Sequence, residues 1–170
     1  MPETISKYND ARIEKIPVDW QMKKLGELGK VITGNTPSRN DLELWNGNFC
    51  WATAKDFKSK YIYNTVEKIT EKGCKGARLL PKGSVLITCI ASIGNNAIAA
   101  VPLATNQQIN SIIVNDNVHN EWLYYHLSFS KRKMELLAGK TAVPLINKNE
   151  FEKIKLPMPP LPEQKKIAEI

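Results

Sequence analysis

Three polar stretches hold the side chains best suited to recognition chemistry. Gly34-Asn35-Thr36-Pro37-Ser38-Arg39-Asn40 sets hydroxyls and an arginine fork in a turn-rich loop, Thr105-Asn106-Gln107-Gln108 carries three consecutive amides, and Lys140-Thr141 runs towards Asn147-Lys148. Asn95 and Asn96 follow Ser92-Ile93-Gly94, and Lys55 lies in Trp51-Ala52-Thr53-Ala54-Lys55-Asp56. In such loops Asn and Gln can pair with an adenine edge and Arg or Lys with a guanine edge. Turn formation is the better account of each of the fifteen Asn residues taken singly. Arg39 stands out because its planar fork can hold a guanine edge or one phosphate bidentately, whereas Lys131-Arg132-Lys133 on a helix reads as a solvated face.

Bond-breaking chemistry has no comparable set. The sequence has no N-P-P-Y or D-P-P-Y methyltransferase motif, no glycine-rich loop for S-adenosylmethionine, no Walker lysine and no G-x-S-x-G elbow. An E-x-K at Glu163 to Lys165 lacks the upstream P-D of a restriction nuclease. His119 and His126 with Cys50, Cys74 and Cys89 make no ligand cluster, so no cofactor and no metal is expected. Three separated thiols fit a reducing compartment, no apolar run approaches the length needed to span a bilayer and the start is not leader-like, so a cytoplasmic, non-catalytic protein is expected. Lys and Arg number 24 against 17 Asp and Glu, a net charge of +7. That balance suits a polyanion, although solubility alone would also account for it.

The elements that must position these groups follow from periodicity and punctuation. Met1 to Lys15 is polar and expected to be partly loose. A helical turn near Leu25 to Leu28 precedes a strand at Lys30 to Thr33, and an Asn46-Gly47 turn precedes a short aromatic strand. Trp45 and Trp51 read as packing residues, and Asp56 as a salt-bridge partner. A helical turn is expected from Thr70 to Gly76. Ser84 to Ile90, apolar on both faces, is the strongest strand; Asn96 to Val101 and Ile109 to Val114 follow across short polar loops, giving an antiparallel or mixed sheet. Asn120 to Ala138 is the long helix, with Asn120 as N-cap, Gly139 beyond its end, and Leu123, Leu127, Met134 and Leu137 near one face beside Trp122 and Phe129. His126 reads as a packed histidine. Asn149 to Lys153 forms another helical turn.

The chain closes on Lys155-Leu156-Pro157-Met158-Pro159-Pro160-Leu161-Pro162, which must run extended, followed by a helix from Pro162. A proline run of this kind is a stiff connector or, through its PxxP repeats, a ligand for an aromatic groove; the helix behind it favours the connector. Ile167 and Ile170 begin an apolar stripe, so both are expected to dock a partner helix or subunit.

Leu156-Pro-Met-Pro-Pro-Leu-Pro-Glu-Gln-Lys-Lys-Ile-Ala-Glu-Ile resembles the junction between target recognition domain and helical spacer in the DNA specificity subunit of type I restriction-modification enzymes. Trp20 with Leu25-Gly26-Glu27, Thr33-Gly34-x-Thr36-Pro37-Ser38, W-N-G-N with W-x-T-x-K-D, Leu80-Pro81-x-Gly83, Ala91-Ser92-Ile93-Gly94 and Thr105-Asn106-Gln107 extend that resemblance over roughly Ile16 to Ile170. It implies a single α+β target recognition domain with flanking helices and the start of a long spacer helix. The divisions are an N-terminal arm at 1–16, the recognition domain at 17–156, and collar and spacer at 157–170. It also implies that the chain reads one half of a bipartite double-stranded DNA target. The implied partners are methyltransferase subunits, through them a restriction subunit, and a second specificity half or homodimer partner met through the spacer. On that resemblance the Thr141 to Asn147 loop returns to the surface of the Thr36-Pro37-Ser38 loop. With one recognition domain, the chain is expected to be a fragment, a half-length subunit that dimerises, or a trimmed form of a longer chain. The rival classes are a recognition piece of a stand-alone methyltransferase or restriction enzyme, and a scaffold without DNA specificity.

Overall fold

The run Val85-Leu86-Ile87-Thr88 has apolar residues at successive positions, and both faces of its strand are covered. The computed structural model describes residues 16–170; the expected N-terminal arm, apart from Ile16, lies outside the described residues. The strands are β1 (Gln21–Lys24), β2 (Gly29–Thr33), β3 (Trp45–Ala52), β4 (Tyr61–Ile62), β5 (Glu67–Ile69), β6 (Val85–Thr88), β7 (Asn96–Ala99), β8 (Leu103–Thr105), β9 (Ile109–Val114) and β10 (Lys155–Met158). The helices are α1 (Glu71–Gly76), α2 (Asn120–Ala138), α3 (Lys148–Lys153) and α4 (Leu161–Ala168). β6 is the middle of a five-stranded sheet in the order β2-β9-β6-β7-β4, with only β4 and β7 parallel.

Because side chains alternate along a strand, Val85 and Ile87 point one way and Leu86 the other. Val85 and Ile87 pack with Trp122, Leu123, Leu127 and Met134 of α2, while Leu86 packs with Cys50, Ala52 and Leu103 of a three-stranded sheet ordered β5-β3-β8. The central sheet therefore lies between a long helix and a second sheet, the mixed α+β arrangement expected.

Several boundaries differ from the sequence expectation for local reasons. The strand expected through Val101 ends at Ala99, and past Pro102, which has no N–H to donate, Leu103–Thr105 joins the other sheet. Asn46 and Gly47 form no turn ahead of a strand; they lie within β3 at a register shift, with Asn46 at φ 61°. Asn120 is the first residue inside α2, and His119 precedes it as cap; the Asn120 amide donates instead to Gly83 O at 3.1 Å. Leu137 and Phe129 face outwards, 43% and 88% exposed, so the buried stripe of α2 is narrower than expected. Asp56 forms no ion pair among the described residues: its carboxylate accepts from Thr53 N–H at 2.8 Å and Val66 N–H at 2.9 Å, closing a 3-10 turn.

The collar runs extended but is not free-standing. Lys155–Met158 pairs antiparallel with Gln21–Lys24, and Pro157 is tolerated because each strand of a two-stranded sheet has an unpaired edge. The boundary expected between residues 156 and 157 thus falls inside a strand. α4 follows at once and does not leave the globule over its first turn: Gln164 is fully buried, accepting from His119 N–H at 2.7 Å and donating to Asn117 O at 3.1 Å and Pro159 O at 2.9 Å. Trp20 Nε1 donates to Glu163 at 3.0 Å from the other side.

Candidate nucleic-acid interface

The strand registers bring the polar loops to one end of the molecule. Thr33 lies opposite Asn110, Thr88 opposite Ile109 and Ile87 opposite Asn96, so the segments after β2 and β6 and those before β7 and β9 share one edge of the central sheet. Ala52 lies beside Thr105, which brings the Thr53 to Asp56 turn to the same end. Backbone bonds lace the loops together. Asn35 N–H donates to Thr105 O at 2.9 Å, Cys89 N–H to Gln108 O at 2.8 Å, Ile146 N–H to Cys89 O at 2.9 Å and Ala91 N–H to Pro144 O at 3.0 Å. The end of the Lys140 to Asn147 segment is thereby tied, through Cys89 and Gln108, to the loops that hold Thr36.

Two backbone features set the spacing. A Cβ at Gly34 would stand 2.2 Å from Asn106 O and 2.2 Å from Thr105 Oγ1, so only glycine lets these loops approach so closely. Ala91 adopts φ 62°, a left-handed conformation that a residue with a Cβ holds only when its surroundings impose it.

The expected reading residues divide by what their side chains already hold. Thr36 and Gln107 meet, the Thr36 hydroxyl donating to Gln107 Oε1 at 2.5 Å, and Gln107 is exposed. Asn106 is turned inwards, spending Oδ1 on Gln108 N–H at 3.1 Å and Nδ2 on Gln108 Oε1 at 3.3 Å. Asn96 is committed to α2, donating to Tyr124 O at 2.6 Å and accepting from Ser128 Oγ at 3.1 Å, and Asn95 accepts from Lys131 Nζ at 2.6 Å. Asn147 caps α3 by accepting from Glu150 N–H at 2.9 Å, and Lys148 pairs with Glu152 at 3.7 Å. Ser38 is exposed and its carbonyl accepts from Trp45 Nε1 at 2.9 Å; Asn40, Lys55, Lys140 and Thr141 are exposed, Thr141 donating to Val143 O at 3.0 Å.

Arg39 is the sharpest departure from expectation. Its fork already holds Glu67, with Nη2 to Oε2 at 3.2 Å and a closer Nη1 to Oε1 bond, and its guanidinium lies 3.8 Å over the Trp45 ring. The bond from Arg39 holds the Glu67 carboxyl below the usual range, aided by Lys55 nearby. Sequence reasoning missed Arg78, whose guanidinium donates to Thr33 O at 2.6 Å and whose backbone N–H donates to Asn35 Oδ1 at 3.2 Å. Lys55, Arg78 and Lys140 belong to none of the ion pairs among the described residues. No local motif marks Arg78, because its place beside Thr33 depends on a partner 45 residues away.

Ile167 of α4 leans on the core that the buried residues of α2 share, while Ile170, past the end of α4, is wholly exposed. Burial, reinforced by Lys133, depresses the His126 imidazole to about 4, and it packs on the Trp122 ring at 5.8 Å, in keeping with a packing role. Burial pushes the Cys89 thiol up to about 11. Among the described residues no group of His, Cys, Asp and Glu is gathered to hold a metal ion, and no helix is long and apolar enough to cross a membrane.

Residues 17–170 match the family model described as the type I restriction modification DNA specificity domain. The chain is 39% identical over 173 residues to the type I restriction enzyme MjaIX specificity subunit of Methanocaldococcus jannaschii, an alignment covering 97% of this chain and 40% of the relative. It is 33% identical to the HindI specificity subunit of Haemophilus influenzae, covering 85% of this chain and 33% of the relative. The chain therefore spans two fifths or less of these relatives' length. Among solved structures, the HsdS subunit from Thermoanaerobacter tengcongensis superposes with a TM-score of 0.71 at 20% identity, over 91% of this chain and 37% of that one, which speaks to the fold.

Proposed function

The chain belongs to the type I restriction modification DNA specificity domain family, and from that premise we propose that it is a non-catalytic module reading one half of a bipartite double-stranded DNA target. Residues 17–156 carry the reading, and the collar and helix of 157–170 lead towards methyltransferase subunits and a second reading half. The observation that carries this is the sheet end itself: Thr36, Ser38, Gln107 and Thr141 offer hydrogen-bonding groups beside the exposed cations Lys55, Arg78 and Lys140. Hydroxyls and amides supply base-edge contacts while the cations hold phosphate, the division of labour that duplex recognition needs. A pure scaffold has no use for that collection.

Selection of bound duplexes from a randomised pool, by the chain with a methyltransferase subunit, tests the reading. One short consensus is the expected result. A bound pool as random as the input at low salt refutes sequence reading.

A further inference from the structure

We propose that Leu145 and Val143 form an apolar subsite for the 5-methyl group of thymine in the major groove, which makes them specificity-determining residues for the duplex target. The inference rests on the duplex-reading function above and adds a contact that the polar groups of the sheet end cannot make.

The subsite is built on a strand-like bridge beyond the end of β6. Leu145 lies antiparallel opposite Ile90, with Ala91 N–H bonded to Pro144 O at 3.0 Å and Ile146 N–H to Cys89 O at 2.9 Å. Those bonds flank the pair of Ile90 and Leu145 and do not join it, so the pair is of the non-hydrogen-bonded kind, in which facing side chains stand closer. Cys89 and Ile146 are buried, and alternation therefore turns Ile90 and Leu145 outwards. Leu145 is 47% exposed and Val143 60%, with Pro144 half-buried between them, the same alternation carried two residues further. The segment is stiff: Pro144 fixes its own φ and biases Val143 towards extended backbone, and the Thr141 hydroxyl donates to Val143 O at 3.0 Å.

A single exposed apolar side chain is ordinary. Here Ile90, Leu145 and Val143 gather at the sheet end, where the other outward groups are hydroxyls, amides and cations. Cys89 N–H, bonded to Gln108 O at 2.8 Å, fixes the bridge to the loop that carries Gln107. Lys140, earlier in the same segment, is exposed and belongs to none of the ion pairs among the described residues, so a phosphate contact lies along the chain from the apolar one. Among the base edges of the major groove only that of thymine presents a methyl group, and an aliphatic side chain reads it by contact. None of the three apolar residues belongs to the motifs that carry the family resemblance, as suits residues that set one member's target.

The test is a methyl scan of the selected duplex, bound by the full chain with a methyltransferase subunit. Deoxyuridine in place of each thymine in turn removes the methyl group and nothing else. At one or two positions it should weaken binding about fourfold, the worth of one buried methyl group, and 5-methylcytosine there should bind about fourfold tighter than cytosine. At each such position Leu145→Ala or Val143→Ala should abolish the penalty and relax the consensus at that base pair alone. The scan itself needs no variant, so a folding defect cannot imitate it. A consensus without thymine, a scan that is flat throughout, or a deoxyuridine penalty that both variants retain overturns the inference. So does a variant that keeps its consensus but sheds the methyltransferase subunit, which makes the patch a protein seat. If the unmodified chain selects no consensus, the duplex-reading function itself fails, a result distinct from these.

Discussion

Replacing Gly34 with alanine tests whether loop approach organises the reading face. The new Cβ would stand 2.2 Å from Asn106 O, 2.2 Å from Thr105 Oγ1 and 2.4 Å from Thr105 O, and two of those three atoms are backbone. Ordinary contact begins about 1 Å further out, so the loops must part and strain the bonds from Gly34 N–H to Ile109 O at 3.1 Å and Asn35 N–H to Thr105 O at 2.9 Å. Overpacking of this kind costs about 1–3 kcal/mol, and losing one such bond adds about 1 kcal/mol, so Gly34→Ala should destabilise by about 2–4 kcal/mol. Gly76 is the control. It lies in the last turn of α1 with nothing within 4 Å of an added Cβ, so Gly76→Ala should be neutral or gain up to about 1 kcal/mol. Urea unfolding of the two variants reads the difference, and duplex selection should show a lost consensus for Gly34→Ala alone. Equal midpoints, or a Gly34→Ala chain with native selectivity, would refute the reasoning.

Three further outcomes follow from single interactions. Glu67→Gln frees Arg39 and removes an acid beside Lys55, so affinity for every duplex should rise and the salt dependence steepen by about one unit; unchanged binding would place Arg39 outside the interface. Gln164→Leu leaves His119 N–H, Asn117 O and Pro159 O without their partner, at a cost of about 2–4 kcal/mol, and amide exchange in α4 should accelerate; a variant with native α4 protection would deny that Gln164 anchors the helix. His126 is depressed to about 4 from an ordinary 6.5, so between those values the unfolded chain binds a proton that the folded chain refuses. Stability should be full above pH 6.5 and fall by up to about 3 kcal/mol as pH drops towards 4, and His126→Gln should flatten that decline; urea titrations of both chains across that window check it.

What could be read directly from residues was governed by short-range signals. The bounds of α2 coincide with the apolar spacing from Trp122 to Met134 and the glycine at 139, and β6 is visible as an apolar run between turn residues. Pairings across long separations left no local trace: β1 is a polar tetrapeptide whose strand character comes from Leu156 and Met158 far along the chain. The same holds at the candidate interface. Asn96 and Asn106 have the composition of reading residues, yet partners on α2 and on Gln108 consume them, while Arg78 acquires its place from Thr33. Amide and hydroxyl types mark where recognition chemistry is possible; burial and partners decide which side chains are left free for it.

The central claim is that the sheet end carrying Thr36 and Gln107 is the face that meets duplex DNA. Backbone amide exchange of the chain, with and without a duplex recovered by selection, measures it most directly. Slowed exchange should concentrate at residues 34–40, 53–56, 89–95, 105–109 and 140–147, with the outward face of α2 around Phe129 unchanged. Protection confined to α2, or to the strand pair formed by β1 and β10, would contradict the account.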